Sequence, residues 1–194
     1  MSIAPRVKVI DVSLLSDNWY VLKKATFRFQ RSDGTWQEQV REVYDRGNGA
    51  CILLYHLAQR SVILTKQFRF PAFANGYDDL LIEAPAGLLD NMDAEARIKL
   101  ETEEETGFRI GKVSKIFEAF MSPGSVTERL HFFVASYEAK DRVSSGGGHE
   151  DEGEDISVME VQFDDAMKMI SDGRIIDAKT IMLLQHAALN VFKG

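Results

Sequence analysis

The chain has 194 residues, a formal net charge of −7 and a single cysteine, Cys51. Its composition, 45% hydrophobic and 27% charged, is typical of a globular protein with one domain and a small addition. The negative charge argues against nucleic acid or an anionic membrane as the main partner. No apolar run approaches the ~20 residues of a membrane span, and the N-terminus lacks the apolar core of a secretory signal. We therefore expect a cytoplasmic protein without an intrachain disulfide.

The first 45 residues alternate polar and apolar side chains and contain many β-branched and aromatic residues. This pattern predicts antiparallel strands, with a hairpin turn at Ser32-Asp33-Gly34. The segments ACILLYHL and SVILTKQFRF follow the break at residues 46–49. Their almost continuous apolar character predicts strands that are covered on both faces. Cys51 is therefore expected in the core.

The segment LLIEAPAG predicts one further short strand, ended by Pro85 and Gly87. A helix is expected next, with Asp90 or Asn91 as its N-cap and Gly107 closing its C-terminus. This helix is rich in glutamate, so its last turns are the first candidate for a functional site.

The second half of the chain alternates strands with loops before it becomes helical. Two strands are predicted at KVSKIFEAF and RLHFFVASYE, and a Gly-rich acidic loop follows at residues 144–155. The strand ISVMEVQF and two helices complete the chain, the second helix with Asp177 as its N-cap. Helices placed late among many strands favour a mixed sheet with helices on its faces.

The last turns of the glutamate-rich helix contain Glu101, Glu103, Glu104 and Glu105. Carboxylates at a helix C-terminus face the negative end of the macrodipole, which costs about 0.3–1 kcal/mol each. Residues three or four apart share a face, so Glu101, Glu104 and Glu105 form one stripe and Glu103 points elsewhere. A bound cation would offset the repulsion, and such hard oxygen ligands suit Mg²⁺ or Mn²⁺. The alternative is an acidic face that only meets water.

Arg97 lies one turn before Glu101 on the same stripe. The position of the glutamates at the helix C-terminus favours the cation over the water-exposed face, and so does a second acidic cluster. This cluster lies at residues 150–155, in a loop whose glycines allow movement. The alternative for this loop is an unstructured acidic tether.

The segment GLLDNMDAEARIKLETEEETGF resembles the Nudix box, the signature of the Nudix hydrolases. The positions that fit are Gly87, Glu101, Glu104, Glu105, Gly107 and Phe108. The segment is one residue shorter than the pattern before Glu101, and Leu100 stands where the pattern has an arginine. Arg97 is expected to take over the role of that arginine, which is to hold the glutamates in position. Other segments, among them SDNWY, KQFRF and MSPGSVTERLHFFVA, extend the resemblance to the nucleoside-diphosphate-sugar branch over nearly the whole chain.

The resemblance implies an α/β fold, the α/β/α Nudix sandwich with a mixed sheet, preceded by a small N-terminal antiparallel β subdomain. We expect the subdomain at residues 1–45 and the Nudix domain at residues 46–194. In this branch the N-terminal sheet pairs two chains. The resemblance therefore implies a homodimer, with Trp19 and Arg41 serving the site of the neighbouring chain.

The resemblance also implies a magnesium site, with Mn²⁺ as a substitute. The implied ligands are the backbone carbonyl of Ala86 and the side chains of Glu101, Glu105 and Glu154. Glu104 matches a residue that binds a further ion or orients a water. In the loop, Glu154 matches a ligand and Glu152 a general base. The implied catalytic residues are thus Glu104, Glu152 and Glu154.

The positions that match substrate contacts in the family are Trp19, Arg41, Glu42, Arg69, Gly87, Leu88, Glu128 and Lys179. Trp19 is suited to stack on a nucleotide base, although composition alone equally favours a core aromatic. Arg69 can pair with a phosphate through two parallel hydrogen bonds. Without the resemblance it would be taken for a surface strand residue.

The implied activity is Mg²⁺-dependent hydrolysis of the diphosphate of a nucleoside diphosphate sugar. GDP-mannose, giving GMP and mannose 1-phosphate, is the expected substrate. ADP-ribose, giving AMP and ribose 5-phosphate, is the first alternative, because no residue distinguishes guanine from adenine. The second alternative is a nucleotide-sugar-binding module without turnover, which Leu100 would favour.

Overall fold

The computed structural model describes residues 2–193, except for the side chain of Glu152. The chain forms two compact units. The first comprises Met1–Asn48 and Phe120–Arg129, and the second Gly49–Ala119 and Leu130–Gly194. The short segment Phe120–Arg129 thus belongs with the N-terminal unit, although it lies far along the chain and no sequence pattern indicates this.

The first unit is built on an antiparallel sheet in the order β1-β2-β3, formed by Val7–Asp17, Val21–Gln30 and Trp36–Asp45. The predicted hairpin turn at Ser32-Asp33-Gly34 is confirmed, with Gly34 at a φ of 85°. Such a left-handed conformation is easily adopted only by glycine. The amide of Tyr44 donates to the carbonyl of Ser125 at 2.8 Å, so the second segment of the unit extends the β3 side.

The second unit contains a mixed sheet in the order β10-β5-β4-β9-β8, and two short strands pair with its centre. Its strands are β4 Gly49–His56, β5 Ser61–Gln67, β6 Leu81–Glu83, β7 Ala86–Leu88, β8 Ser114–Phe120, β9 Arg129–Ser136 and β10 Ser157–Gln162. β4 runs parallel to β9 and antiparallel to β5, which makes the sheet mixed. β6 pairs with β5 and β7 with β4.

The helices of this unit are α1 Phe70–Ala74, α2 Ala94–Thr106, α3 Phe163–Ser171 and α4 Ala178–Asn190. α2 and α4 both pack on β4. Ala50, Ile52 and Leu54 share one core cluster with Ile98 of α2. Because strand side chains alternate, Cys51 and Leu53 face the other side of the sheet. Both are fully buried, as predicted for a strand covered on both faces.

Two predicted strands differ clearly from the observed elements. The predicted strand SVILTKQFRF ends at Gln67, and a short helix begins at Phe70 because Pro71 fits the first turn of a helix. LLIEAPAG forms two strands, β6 and β7, rather than one, with the break at Ala84-Pro85. Within the described residues, no helix is both long and apolar enough to cross a membrane.

Candidate active site

Helix α2 begins two or three residues later than predicted. Its N-cap is Asp93, whose carboxylate accepts hydrogen bonds from the amides of Glu95 at 3.0 Å and Ala96 at 3.1 Å. The predicted N-caps Asp90 and Asn91 are wrong, because both have positive φ and form the turn before the helix. Gly107 closes the helix in a left-handed conformation, as predicted.

Glu101 is held in a fixed position by an arginine one turn earlier. Its carboxylate lies 2.6 Å from the guanidinium of Arg97 and is almost fully buried. The same guanidinium donates through Nε to the backbone carbonyl of Leu88 at 3.0 Å. Arg97 therefore ties Glu101 to strand β7, while Leu100, at the position of the motif arginine, is exposed.

The close approach of strand β7 to the helix depends on a glycine. A Cβ atom on Gly87 would overlap the carboxylate of Glu101. Any larger residue would therefore displace this carboxylate or the strand. Gly87 and Leu88 thus lie directly against the glutamates of the helix.

Glu105 is the most deeply buried glutamate of the helix, with 2% of its surface exposed. Its carboxylate accepts a hydrogen bond from the amide of Ala86 at 3.2 Å. Burial raises the pKa of Glu105 to about 8, and the negative charges of Glu101 and Glu154 add to the rise. Arg69 opposes the shift. These charges therefore act on one another through a region from which water is largely excluded.

The other two glutamates of the helix lie in different surroundings. Glu103 points away, as the helical spacing predicts, and forms an ion pair with Arg109 at 2.7 Å. Glu104 is only partly buried, and its carboxylate lies 3.5 Å from Nε2 of His149. The predicted stripe is thus divided between a buried pair, Glu101 and Glu105, and a more exposed Glu104.

The glycine-rich loop is bound to the C-terminal end of α2. The amides of Gly147 and Gly148 donate to the carbonyls of Glu105 at 2.9 Å and Glu104 at 3.1 Å. These carbonyls have no partner inside the helix, so the loop satisfies them. Glu154 follows in the same loop, and its carboxylate accepts from the amide of His149 at 3.0 Å. The loop thereby brings Glu154 close enough to raise the pKa of Glu105.

The contact between loop and helix predicts the effect of a glycine substitution. Gly146 has a φ of 69°, and an added Cβ would lie 2.5 Å from the carbonyl oxygen of Glu105. Gly146→Ala should therefore lower the free energy of unfolding by roughly 2–3 kcal/mol through strain and overlap. Urea unfolding would measure this.

Gly173→Ala is the matched control for this substitution. Gly173 also has a positive φ, 82°, but nothing lies within 4 Å of the Cβ position. This variant should show only the backbone strain, about 1 kcal/mol. Equal losses in the two variants would contradict a tight contact between loop and helix.

Arg69 and Lys179 share a carboxylate that the sequence prediction missed. Glu83, at the end of β6, is 3% exposed and accepts from Nε of Arg69 at 2.8 Å and from Nζ of Lys179. Lys179 also lies 3.0 Å from Asp177, the N-cap of α4. The signal was a single charged residue within the apolar strand LLIEAPAG, since charged residues are seldom fully buried without a partner.

The first unit contains four of the predicted substrate contacts. Arg41 and Glu42 line a cavity of about 500 Å³, together with residues of β2 and of the segment Phe120–Arg129. Trp19 is 80% exposed, so the core alternative for this residue is wrong. Glu128 is partly buried and pairs with Arg46 at 3.6 Å.

The remaining site residues lie together in the second unit. Ala86, Gly87, Leu88, Glu101, Glu105, Glu154 and Arg69 are linked by the contacts described above, and Lys179 joins them through Glu83. The side chain of Glu152 lies outside the described part of the chain. The catalytic, binding and ligand roles of all these residues stay predictions.

The donor set suits a hard divalent cation. Among the described residues, no three carboxylate, imidazole or thiolate groups already converge as a complete metal site. Each glutamate instead has a protein partner. Glu101 pairs with Arg97, Glu105 accepts a hydrogen bond from the Ala86 amide, and Glu154 accepts one from the His149 amide. Carboxylate and carbonyl oxygens are nevertheless the ligands that Mg²⁺ prefers. The mutual repulsion of three carboxylates is the cost that a cation would offset.

A solved structure shares this architecture. The crystal structure of an ADP compounds hydrolase superposes with a TM-score of 0.69 over 93% of this chain and 91% of its own, at 16% sequence identity. This likeness concerns the fold. The predicted fold, a Nudix α/β/α sandwich with a mixed sheet after an N-terminal antiparallel sheet, is confirmed.

Sequence relatives specify the family. Residues 6–44 match the family model of the GDP-mannose pyrophosphatase NudK N-terminal domain. The GDP-mannose pyrophosphatase of Pectobacterium atrosepticum is 53% identical over 94% of both chains. That of Yersinia pestis is 50% identical over 96% of this chain and 94% of its own. The chain therefore belongs to the GDP-mannose pyrophosphatase family of the Nudix hydrolases, and the predicted family and enzyme class are confirmed.

Proposed function

We propose that the protein hydrolyses the diphosphate of GDP-mannose in the presence of Mg²⁺, releasing GMP and mannose 1-phosphate. The observation that carries the proposal is the buried pair Glu101 and Glu105, held between strand β7, Arg97 and the loop that contains Glu154. The relatives named for this activity match almost the full chain at about half identity, which supports the substrate.

The proposed ligands of the cation are Glu101, Glu105, Glu154 and the carbonyl of Ala86, with Mn²⁺ as a substitute for Mg²⁺. Divalent ions at such a site neutralise the charge of a diphosphate and lower the pKa of a coordinated water. Other residues of the chain orient these carboxylate ligands. Arg97 holds Glu101 in place, and the hydrogen bond from the Ala86 amide fixes Glu105 beside strand β7.

Arg69 and Lys179 supply positive charge on the substrate side. The Arg69 side chain is 41% exposed while its partner Glu83 is 4% exposed. The outer edge of the guanidinium can therefore bind a phosphate through two parallel hydrogen bonds. We assign the nucleoside to the first unit of the neighbouring chain, where Arg41 and Glu42 line a cavity and Trp19 offers an exposed ring for stacking.

Carboxylates of the loop and of helix α2 are proposed to accept the proton of the attacking water. Glu104, Glu152 and Glu154 are the candidates, and a positioned carboxylate of this kind contributes about 10²–10⁴-fold to a rate. Water attacks phosphorus in this reaction, in contrast to glycoside cleavage, where two carboxylates flank the sugar bond.

The role of the loop can be tested at Glu154. Glu154→Gln keeps the size of the side chain and removes its charge, so kcat should fall by roughly tenfold to a hundredfold. Steady-state kinetics with GDP-mannose would measure this. Glu150→Gln, an exposed neighbour in the same loop, is the control and should keep normal kinetics. Equal kinetics for wild type and Glu154→Gln would show that the loop is only an acidic tether.

A substrate panel tests the proposed activity. The purified protein is incubated with MgCl₂ and GDP-mannose, other GDP-, ADP- and UDP-sugars, and ADP-ribose, and the released mononucleotides are identified. We expect GMP from GDP-mannose at the highest kcat/KM. Faster release of AMP from ADP-ribose would favour the first alternative. Binding of GDP-mannose without product would favour the module without turnover.

The N-terminal sheet is the proposed dimer interface. β1 exposes the apolar residues Val7, Val9, Ile10, Val12, Leu14 and Leu15. Exposed apolar groups in such number on one strand are typical of an interaction surface. We therefore propose a homodimer through this sheet, with Trp19 and Arg41 completing the site of the neighbouring chain, and a cytoplasmic location.

Light scattering would measure the dimer. The wild type should have twice the chain mass of 21.9 kDa. Leu14→Asp should yield the monomer, because it places a charge in the interface. Leu189→Asp is the control, since Leu189 is 71% exposed but lies on α4. A dimeric Leu14→Asp variant would contradict this interface.

A further inference from the structure

Glu83 is a buried carboxylate between two cations. It ends strand β6, and its side chain is 4% exposed. One oxygen accepts from Nε of Arg69 at 2.8 Å, and the other accepts from Nζ of Lys179. Among the described residues, the hydrogen bonds of this carboxylate go to these two side chains alone. A carboxylate buried in this way is favourable only while both partners are present.

The contact with Glu83 determines which edge of Arg69 is presented to a ligand. Glu83 binds Nε, so within the described part of the chain the two terminal nitrogens remain for another partner. A guanidinium has five N–H donors in a fixed plane, and holding it at Nε fixes the direction of the others. Burial is the largest single influence and lowers the pKa of Arg69, but the charge and hydrogen bond of Glu83, together with the charges of Glu105 and Asp177, raise this pKa overall.

Lys179 is fixed by the same carboxylate and by the start of α4. Its ammonium lies 3.0 Å from Asp177, and its side chain is 13% exposed. Burial lowers the pKa of Lys179, but the charges of Glu83 and Asp177 raise it above its ordinary value. The lysine therefore stays charged although it is largely removed from water.

The backbone around Glu83 also connects these elements. The backbone carbonyl of Glu83 accepts from the hydroxyl of Thr65 at 3.2 Å, and the amide of Ala84 donates to Thr180 at 2.6 Å. These backbone contacts join β5, β6 and α4. Within the described part of the chain, the hydrogen bonds of the Glu83 side chain thus serve to hold the two cations.

We propose that Glu83 is a positioning residue that sets Arg69 and Lys179 in one orientation for an anionic diphosphate. The inference rests on the proposed function, because it assigns the substrate anion to these cations. Glu83 itself does not touch the substrate. Its removal should therefore weaken substrate binding more than it slows the chemical step.

A double-mutant cycle tests this inference. Glu83→Gln keeps the shape and one hydrogen-bond acceptor but loses the charge. It should raise KM for GDP-mannose by about tenfold while kcat changes by less than about threefold. In the Arg69→Ala background, the same substitution should raise KM by a smaller factor than in the wild type, because only its effect through Lys179 remains. Additive effects in the two backgrounds would overturn the inference, as would an unchanged KM in Glu83→Gln.

A second measurement does not need turnover. The Nε–H of Arg69, followed by ¹H–¹⁵N NMR, should exchange with water at least about tenfold faster in Glu83→Gln than in the wild type. Equal exchange rates would overturn the fixed orientation. A wild type that leaves GDP-mannose intact would overturn the proposed function instead. If the wild type is active and Glu83→Gln has the same KM and the same exchange rate as the wild type, only the positioning role would be overturned.

Discussion

Glu105→Gln should reduce kcat by roughly 10²–10³-fold, on the scale of a lost charge at a preorganised site, and stabilise the protein at alkaline pH in EDTA. Glutamine retains the size of the side chain and can still accept from the Ala86 amide. It removes the negative charge that a cation requires and that burial disfavours. Activity and stability are therefore expected to change in opposite directions.

The pH dependence follows from the direction of the shift. The pKa of Glu105 is raised from 4.5 to about 8 in the folded state. Between these two values the folded state holds a proton that the unfolded chain releases. The contribution of Glu105 to the free energy of unfolding is therefore fully present below about pH 4.5 and is lost as pH rises towards 8. Glu105→Gln should not lose stability in this way. In EDTA at pH 8, its free energy of unfolding should therefore exceed that of the wild type by roughly 4 kcal/mol.

Urea unfolding in EDTA at pH 5 and pH 8 would measure both proteins. Mg²⁺ should restore stability to the wild type at pH 8, because a cation that binds only the folded state stabilises it. Glu103→Gln is the control, since Glu103 points away from the site and pairs with Arg109 at the surface. Parallel pH profiles for wild type and Glu105→Gln would contradict a buried glutamate with a raised pKa.

Arg97→Ala should have the second largest effect. It removes the partner of a buried carboxylate, Glu101, and the link from α2 to the carbonyl of Leu88. A buried charge left without its partner costs about 3 kcal/mol or more of folding free energy. Loss of the orientation of Glu101 should lower Mg²⁺-dependent turnover by about tenfold or more. Kinetics and urea unfolding would measure the two effects.

Lys99→Ala is the matched control on the same helix. Lys99 pairs with Glu95 at 2.7 Å with the same i,i+4 spacing, but both side chains are more exposed. Pairs of this kind contribute only about 0.2–0.5 kcal/mol. We expect wild-type kinetics for Lys99→Ala. Unchanged turnover in Arg97→Ala would show that Arg97 does not replace the motif arginine.

The parts of the site that lie on one helix could be predicted from the helical spacing of their residues. Arg97 and Glu101 are four residues apart, so their contact could be predicted from helix geometry, and so could the separation of Glu103 from the stripe. Strands β4 and β5 could be predicted to be covered on both faces, since their apolar residues are almost continuous.

Contacts between segments far apart in the chain could not be predicted from the sequence. Glu83 meets Lys179 across nearly a hundred residues, and no spacing rule connects a strand end to a helix start. The docking of Gly147 on Glu105 likewise depends on how the loop returns to the helix. The N-cap was misplaced because Asp90, Asn91 and Asp93 are all good caps, and only the backbone distinguishes a turn residue from a cap.

Hydrolysis of GDP-mannose in H₂¹⁸O, with MgCl₂ or with EDTA, tests the central claim most directly. The buried glutamates should bind a divalent cation and direct water to phosphorus. We expect GMP and mannose 1-phosphate, with ¹⁸O in the phosphate of one of them, no reaction in EDTA, and recovery with excess MgCl₂. Intact GDP-mannose under all conditions, or release of free mannose and GDP, would contradict this account.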